Sequence, residues 1–362
     1  MINLVKIQTV RGSISPDKLG ITLSHEHILL TNQYLLEEEP KDPEKLKIWN
    51  EPFSVELLNR AKKLYGEDLG SANKSDMIFD DEELATTELL EYKKLGGNSL
   101  IEHSVWGLRS NVLGLKSISE KTDLNIIAST GCYMVKLHPK WVKKMNSDEI
   151  ADIMIKEIKE GIEGTQIKAG VIGECACSEV PYHPEEEKIL RAACKAQKET
   201  GVGFTFHPIL YNSDKNDIAK LGDVYLDLIE KEEANTQKFW LSHCDITCRD
   251  LDYHLKILNR GVTIAYDCFG MEGVRAKSFL GGNTIPSDIE KVNAIASLCN
   301  QGYDKQIIIS HDIAIKRRLK SYGGEGYSHI LESIIPMLKE KGVTEKQIKN
   351  MLVENPKRLL SF

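Results

Sequence analysis

Short runs of apolar residues rich in Val and Ile recur along the chain: ITLSHEH (21–27), NSLIEH (98–103), LNIIASTG (124–131), AGVIGECA (169–176), VGFTFHP (202–208), KFWLSHCD (238–245), VTIAYDC (262–268) and IIISHD (307–312). They are continuously hydrophobic, not alternating, which suits strands buried on both faces of a parallel sheet. Helical periodicity fills the intervals. NSDEIADIMIKEIKEGIEG opens with Asn146 and Glu149 in capping-box register and puts Ile150, Met154, Ile158 and Ile162 on one face, with Gly161 and Gly164 as its stop. SDIEKVNAIASLCNQG repeats the design, with Ser287 and Glu290 as its box and Gly302 as its stop. This alternation predicts an α/β chain folded as a (β/α)8 TIM barrel, one domain spanning 1–362.

One interval breaks the rhythm. The first βα connection, at about 28–97, contains the charged stretch EEEPKDPEKLKIWNEP and is far longer than usual. It reads either as a cover for a site at that end of the barrel or as a peripheral insertion. Composition narrows the class further. A net charge of −7 disfavours nucleic acid as a partner. No apolar run is long enough for a membrane helix, and MINLVKIQTVRGS lacks a signal-peptide design, so a cytoplasmic protein without membrane association is expected. The eight cysteines contain no CxxC pair and read as reduced core thiols.

Polar side chains of ligand type stand at the carboxyl ends of the apolar runs: His25 and His27 on the first, Glu174 on the fourth, His207 on the fifth, His243 on the sixth and Asp312 on the eighth. Strand alternation puts His25 and His27 on one face and Glu26 on the other. Taken alone, that pair reads equally well as two hydrogen-bonded or surface histidines. Barrel active sites, however, lie at this end of the strands, so all of these residues meet around one axis. Four histidines and two carboxylates suffice for two divalent metals.

The stretches TLSHEH, GVIGECACSE, TFHP, LSHCD, IISHD with the later YGGEGYSHIL, and the terminal ENPKRLL resemble the phosphotriesterase family of the amidohydrolase superfamily, over essentially the whole chain. The resemblance implies two divalent ions per chain, zinc first, with manganese or cobalt as alternatives. It matches His25, His27 and Asp312 to the more buried ion and His207 and His243 to the more exposed one. The organophosphate-degrading branch bridges its ions through a carbamylated lysine, but AGVIGECA has no lysine there, and Glu174 looks like the bridging carboxylate of other branches. The implied chemistry is hydrolysis of an ester, lactone or amide by a hydroxide held between the ions. Asp312 would accept the proton and pass it to the leaving oxygen.

Tyr133 matches a tyrosine that lactone-hydrolysing relatives place beside the substrate; a packed core tyrosine is the alternative. His103 and His138 read as structural, and His183, His254 and His329 as non-ligands. Basic residues gather in the loops after the seventh and eighth strands: Arg275 and Lys277, then Lys316, Arg317, Arg318 and Lys320. Barrels often hold phosphate there. Arg275 is the preferred anchor, since a guanidinium grips phosphate with two parallel hydrogen bonds; a solvated charged face is the alternative. The resulting expectation is a metal-dependent lactonase opening a small phosphorylated sugar lactone. The alternatives are an acyl-homoserine lactone lactonase, a phosphotriesterase, or a metal-containing binding or regulatory protein; a homodimer is compatible with all of them.

Overall fold

In a computed structural model the described residues are 5–31, 36, 38–66, 69–178, 182–208, 215–272 and 285–362, with backbone alone over 215–220. The chain opens with an antiparallel hairpin, β1 (Ile7–Thr9) and β2 (Gly12–Ile14), too short for its apolar pattern to announce. Strand β3 (Thr22–Glu26) follows. The long first connection is structured. It holds β4 (Leu30–Thr31), helices α1 (Pro43–Asn50) and α2 (Val55–Tyr65), and β5 (Ile78–Phe79), which pairs antiparallel with β4. Ile48, Leu57, Leu58, Ala61, Leu69 and Ala72 give it a small apolar core of its own.

From there helices and strands alternate: α3 (Glu82–Lys94), β6 (Ser99–Glu102), α4 (Val112–Thr122), β7 (Asn125–Thr130), α5 (Ser147–Lys159), β8 (Val171–Cys177), α6 (Pro184–Thr200) and β9 (Gly203–Pro208). The series continues with α7 (Lys215–Lys231), β10 (Phe239–Leu241), α8 (Leu251–Asn259), β11 (Thr263–Tyr266), α9 (Asp288–Asn300) and β12 (Ile307–Ile309). The eight-stranded sheet runs β12-β11-β10-β9-β8-β7-β6-β3, and all its pairs are parallel. Its two ends meet where Ser24 Oγ donates to the Ile309 carbonyl (3.2 Å) and the Asp312 N–H donates to the His25 carbonyl (3.1 Å). The (β/α)8 barrel expected from the pattern is therefore the fold.

Ile101, Ile127, Val171, Trp240, Ala265 and Ile308 fill the barrel interior, joined by Ile7 of the hairpin and by Leu359 and Leu360 near the carboxyl terminus. The larger core lies between strands and helices. Asn146 and Glu149 form the expected capping box. Helix α5 stops at Lys159, earlier than the apolar spacing suggests, because Gly161 turns the chain at φ +150; Ile162 is buried from a separate short turn. All eight cysteines are buried free thiols. Among the described residues no helix is long and apolar enough to cross a membrane.

The register slips twice, between Leu23 and Glu26 in β3 and between Ile172 and Cys175 in β8. Leu23, Ile172 and Cys175 all pack in the helix-side core. Such irregularities re-aim a side chain locally. Here each falls where a ligand-type residue, His25 or Glu174, must face the barrel axis.

Candidate metal centre

The carboxyl ends of the strands bring six side chains together. His25 Nε2 lies 3.2 Å from Glu174 Oε2 and 3.8 Å from Asp312 Oδ1. His27 Nε2 lies 3.2 Å from Asp312 Oδ1 and 3.6 Å from Glu174 Oε1. On the other side His207 Nδ1 approaches Glu174 Oε2 at 2.5 Å and His243 Nε2 at 2.7 Å. Two compact groups result, His25–His27–Glu174 and Glu174–His207–His243, and Glu174 belongs to both.

The donor set fits divalent cations. Asp267 accepts from Nδ1 of His25 (2.9 Å) and of His243 (2.7 Å), so both rings spend their N–H outward and turn the Nε2 lone pair inward. His25 Nε2 is fully buried and, among the described residues, has no hydrogen-bond partner; it faces the carboxylate oxygens of Glu174. Electron pairs pointed at one another in a buried pocket are what a cation would satisfy. The charges across the group act strongly on one another. Burial alone would raise Asp267 and Glu174, but the neighbouring imidazoles hold both well below the usual carboxylate range. Burial would likewise lower His243, but Asp267 lifts it to about 9. His207 goes the other way, lowered chiefly by burial, as suits a neutral ligand.

Exposure grades across the group. The side chains of His25, Glu174 and His27 are 0, 2 and 3% exposed, against 13% for His207 and 17% for Asp312, so the group is more open to solvent on the side of the latter pair. Tyr133 is packed on this side, its hydroxyl 3.1 Å from His207 Nε2. His103 is buried between the carbonyls of Gly173 (3.1 Å) and Ser24 (3.2 Å), and His138 lies 3.2 Å from the Tyr133 carbonyl. His183 caps α6, His254 bridges Thr247 and Tyr266, and His329 pairs with Asp288.

Two contributors escaped the sequence reading. Asp267 stands at the penultimate position of the run VTIAYDC, the same strand-end signal that marked the others. Ser104, whose Oγ lies 3.0 Å from His27 Nδ1, carries no such signal.

Of the cations expected to hold an anion, Arg275 and Lys277 lie outside the described residues. Arg317 pairs with Asp76, Lys320 with Glu332 (2.7 Å), and Arg318 donates to the carbonyls of His311, Asp312 and Phe269. Lys316 is largely buried, its carbonyl accepts the Leu319 N–H (2.9 Å), and its charge acts on Asp76 through space.

A parallel barrel that gathers imidazoles and carboxylates on a shared glutamate at its strand ends defines a metal-dependent hydrolase. Residues 5–360 match the Phosphotriesterase family, and the chain belongs to it. It is 33% identical over 357 residues to an N-acetyltaurine hydrolase of Salmo salar, covering 99% of this chain and 98% of that one. An N-acetyltaurine hydrolase of Dictyostelium discoideum is also 33% identical, with the same coverage. Among solved structures, a resiniferatoxin-binding protein from Rhodobacter sphaeroides superposes with a TM-score of 0.88 at 30% identity, covering 98% of this chain and 94% of that one.

Proposed function

We propose that this chain hydrolyses the acyl bond of a small substrate whose far end carries a compact tetrahedral oxyanion, with an N-acyl aminosulfonate of the N-acetyltaurine type as the leading candidate. The carrying observation is the pair of ligand groups that share Glu174, more open to solvent at Asp312 and His207, with Tyr133 packed against His207. Full-length likeness to N-acetyltaurine hydrolases supports the amide and the sulfonate.

In this reading His25, His27 and Asp312 would hold one divalent ion and His207 and His243 the other, with Glu174 available to both, zinc being the leading ion and manganese or cobalt the alternatives. Divalent ions there supply a nucleophilic water near neutral pH and a polarised carbonyl. Asp312 accepts the proton of the attacking water and delivers it to the leaving nitrogen, which must be protonated to depart as an amine. The Tyr133 hydroxyl stands at the mouth, where it can orient the acyl oxygen. Arg275, with Lys277 and Lys316 in support, grips the distal anion.

A phosphorylated sugar lactone is the second reading. It presents the same two features, an acyl carbon and a remote tetrahedral oxyanion, to the same loops, and a cationic Lys316 there favours an anion of either kind. Parallel assays of N-acetyltaurine, its uncharged N-acetyl-ethylamine counterpart, a phosphorylated sugar lactone and an unphosphorylated one decide the matter. Preference for N-acetyltaurine is expected; a higher kcat/KM on the phosphorylated lactone selects the second reading. Equal turnover of charged and uncharged members of each pair removes the anion requirement. Bound metal without hydrolysis of any of them would make the chain a binding protein.

A further inference from the structure

Glu26, the last residue of β3, stands between the ligand-type histidines His25 and His27, and strand alternation turns its carboxylate away from them. Its oxygens are nevertheless fully engaged. Oε1 accepts from the Ser310 hydroxyl (2.7 Å), the His311 N–H (3.0 Å) and His311 Nδ1 (2.7 Å), and Oε2 accepts from the Ile313 N–H (3.2 Å). His311 Nε2 accepts the Ile330 N–H (3.1 Å), which fixes the ring tautomer with its proton on Nδ1, toward Glu26. Both backbone amides that flank Asp312 therefore end on one carboxylate.

The carbonyl side is held as well. Arg318 Nη1 donates to the carbonyls of His311 (2.7 Å) and Asp312 (2.8 Å), and Nη2 donates to that of Phe269 (2.6 Å). Between these grips Asp312 sits at φ +53, a left-handed conformation that a residue with a side chain keeps only where its surroundings impose it. Glu26, His311 and Arg318 are all buried.

We propose that Glu26, assisted by Arg318, is the positioning residue for Asp312, holding the backbone turn that aims its carboxylate at His25 and His27. The proposal rests on Asp312 as a metal ligand. A glutamate suits the task because every group facing it is a donor; an amide would turn N–H against N–H at one of them. The otherwise unexplained residue between the paired histidines thus links the first strand to the ligand supplied by the last.

The test is divalent metal per chain and metal affinity, alongside the melting temperature of the metal-free protein. Variants are Glu26→Ala, Glu26→Gln, Asp312→Asn and the control Asp304→Ala, a buried carboxylate at the other end of β12 that accepts from Asn350. Glu26→Ala is expected to weaken one ion about 10- to 100-fold, the usual scale for a residue that orients a ligand, while the other ion stays. Glu26→Gln falls between Glu26→Ala and wild type, and Asp304→Ala keeps both ions despite any loss of melting temperature. If Glu26→Ala does not fold, Glu26→Gln and Arg318→Lys are read by the same measure. Wild-type affinity in the Glu26 variants, with one ion lost in Asp312→Asn, overturns the proposal alone. Equal metal loss in Asp304→Ala also overturns it, since that marks general destabilisation. Wild-type binding by Asp312→Asn overturns the ligand reading and this proposal with it.

Discussion

Asp267 and His243 are joined twice: Oδ1 of the carboxylate accepts both the backbone N–H (2.9 Å) and Nδ1 (2.7 Å) of the histidine. The other oxygen takes Nδ1 of His25. One buried carboxylate thereby aims an imidazole from each half of the candidate metal centre.

Asp267→Asn should weaken both ions together. The amide keeps one acceptor and sets an NH2 against the N–H of whichever histidine it cannot accept. Loss of an orienting partner typically costs about 10- to 100-fold in metal affinity. Metal titration checks this; loss confined to one ion would mean that the two halves are aimed independently.

Asp312→Asn should leave the barrel folded and lower turnover by about 10²- to 10⁴-fold, the range of a general acid–base group. Metal content is measured with the rate, because the same side chain is a proposed ligand. A variant that keeps both ions and near-normal turnover would place the proton transfer elsewhere.

Arg275→Ala should lower kcat/KM for N-acetyltaurine about 10- to 100-fold while sparing the uncharged amide, since hydrogen bonds to charged groups are worth roughly 1.5 to 3 kcal/mol. Lys316→Ala is the companion. Equal losses on charged and uncharged substrates would assign these residues a structural part only.

Acid stability should depend on Asp288. Burial pushes its carboxyl up, but His329, Lys291 and the Gly270 N–H outweigh this and hold it at about 2, against an ordinary 3.8. A depressed folded pKa stabilises the protein above about pH 4 and loses that contribution as pH falls toward 2, an effect of roughly 2 kcal/mol. Asp288→Asn should therefore unfold more readily at pH 6 and show a flatter stability curve between pH 4 and 2. Parallel curves for variant and wild type would contradict this.

The eight strands were legible because short apolar runs, rich overall in Val and Ile, mark them, and the ligand-type residues because each stands at or near the carboxyl end of such a run. Asp267 offered the same mark and was passed over. Ser104 and Glu26 act through partners that only the closed barrel supplies; Glu26 reaches amides more than 280 positions away. The basic loop after β12 shows the opposite limit. Charge counting finds Arg317, Arg318 and Lys320, but not the Asp76, backbone carbonyls and Glu332 that fold onto them. The hairpin β1–β2 was invisible because three-residue strands carry no period.

The seam between β3 and β12 is where the sheet order begins and ends, and its hydrogen bonds run through Ser24, His25, Glu26, Ser310 and Asp312. A cation shared by His25, His27 and Asp312 would span that same joint and act as its rivet. Metal binding and closure of the cylinder would then be one event: stripping the ion should unzip the protein first along this line, raising amide exchange at residues 23–27 and 308–313 ahead of the other strands.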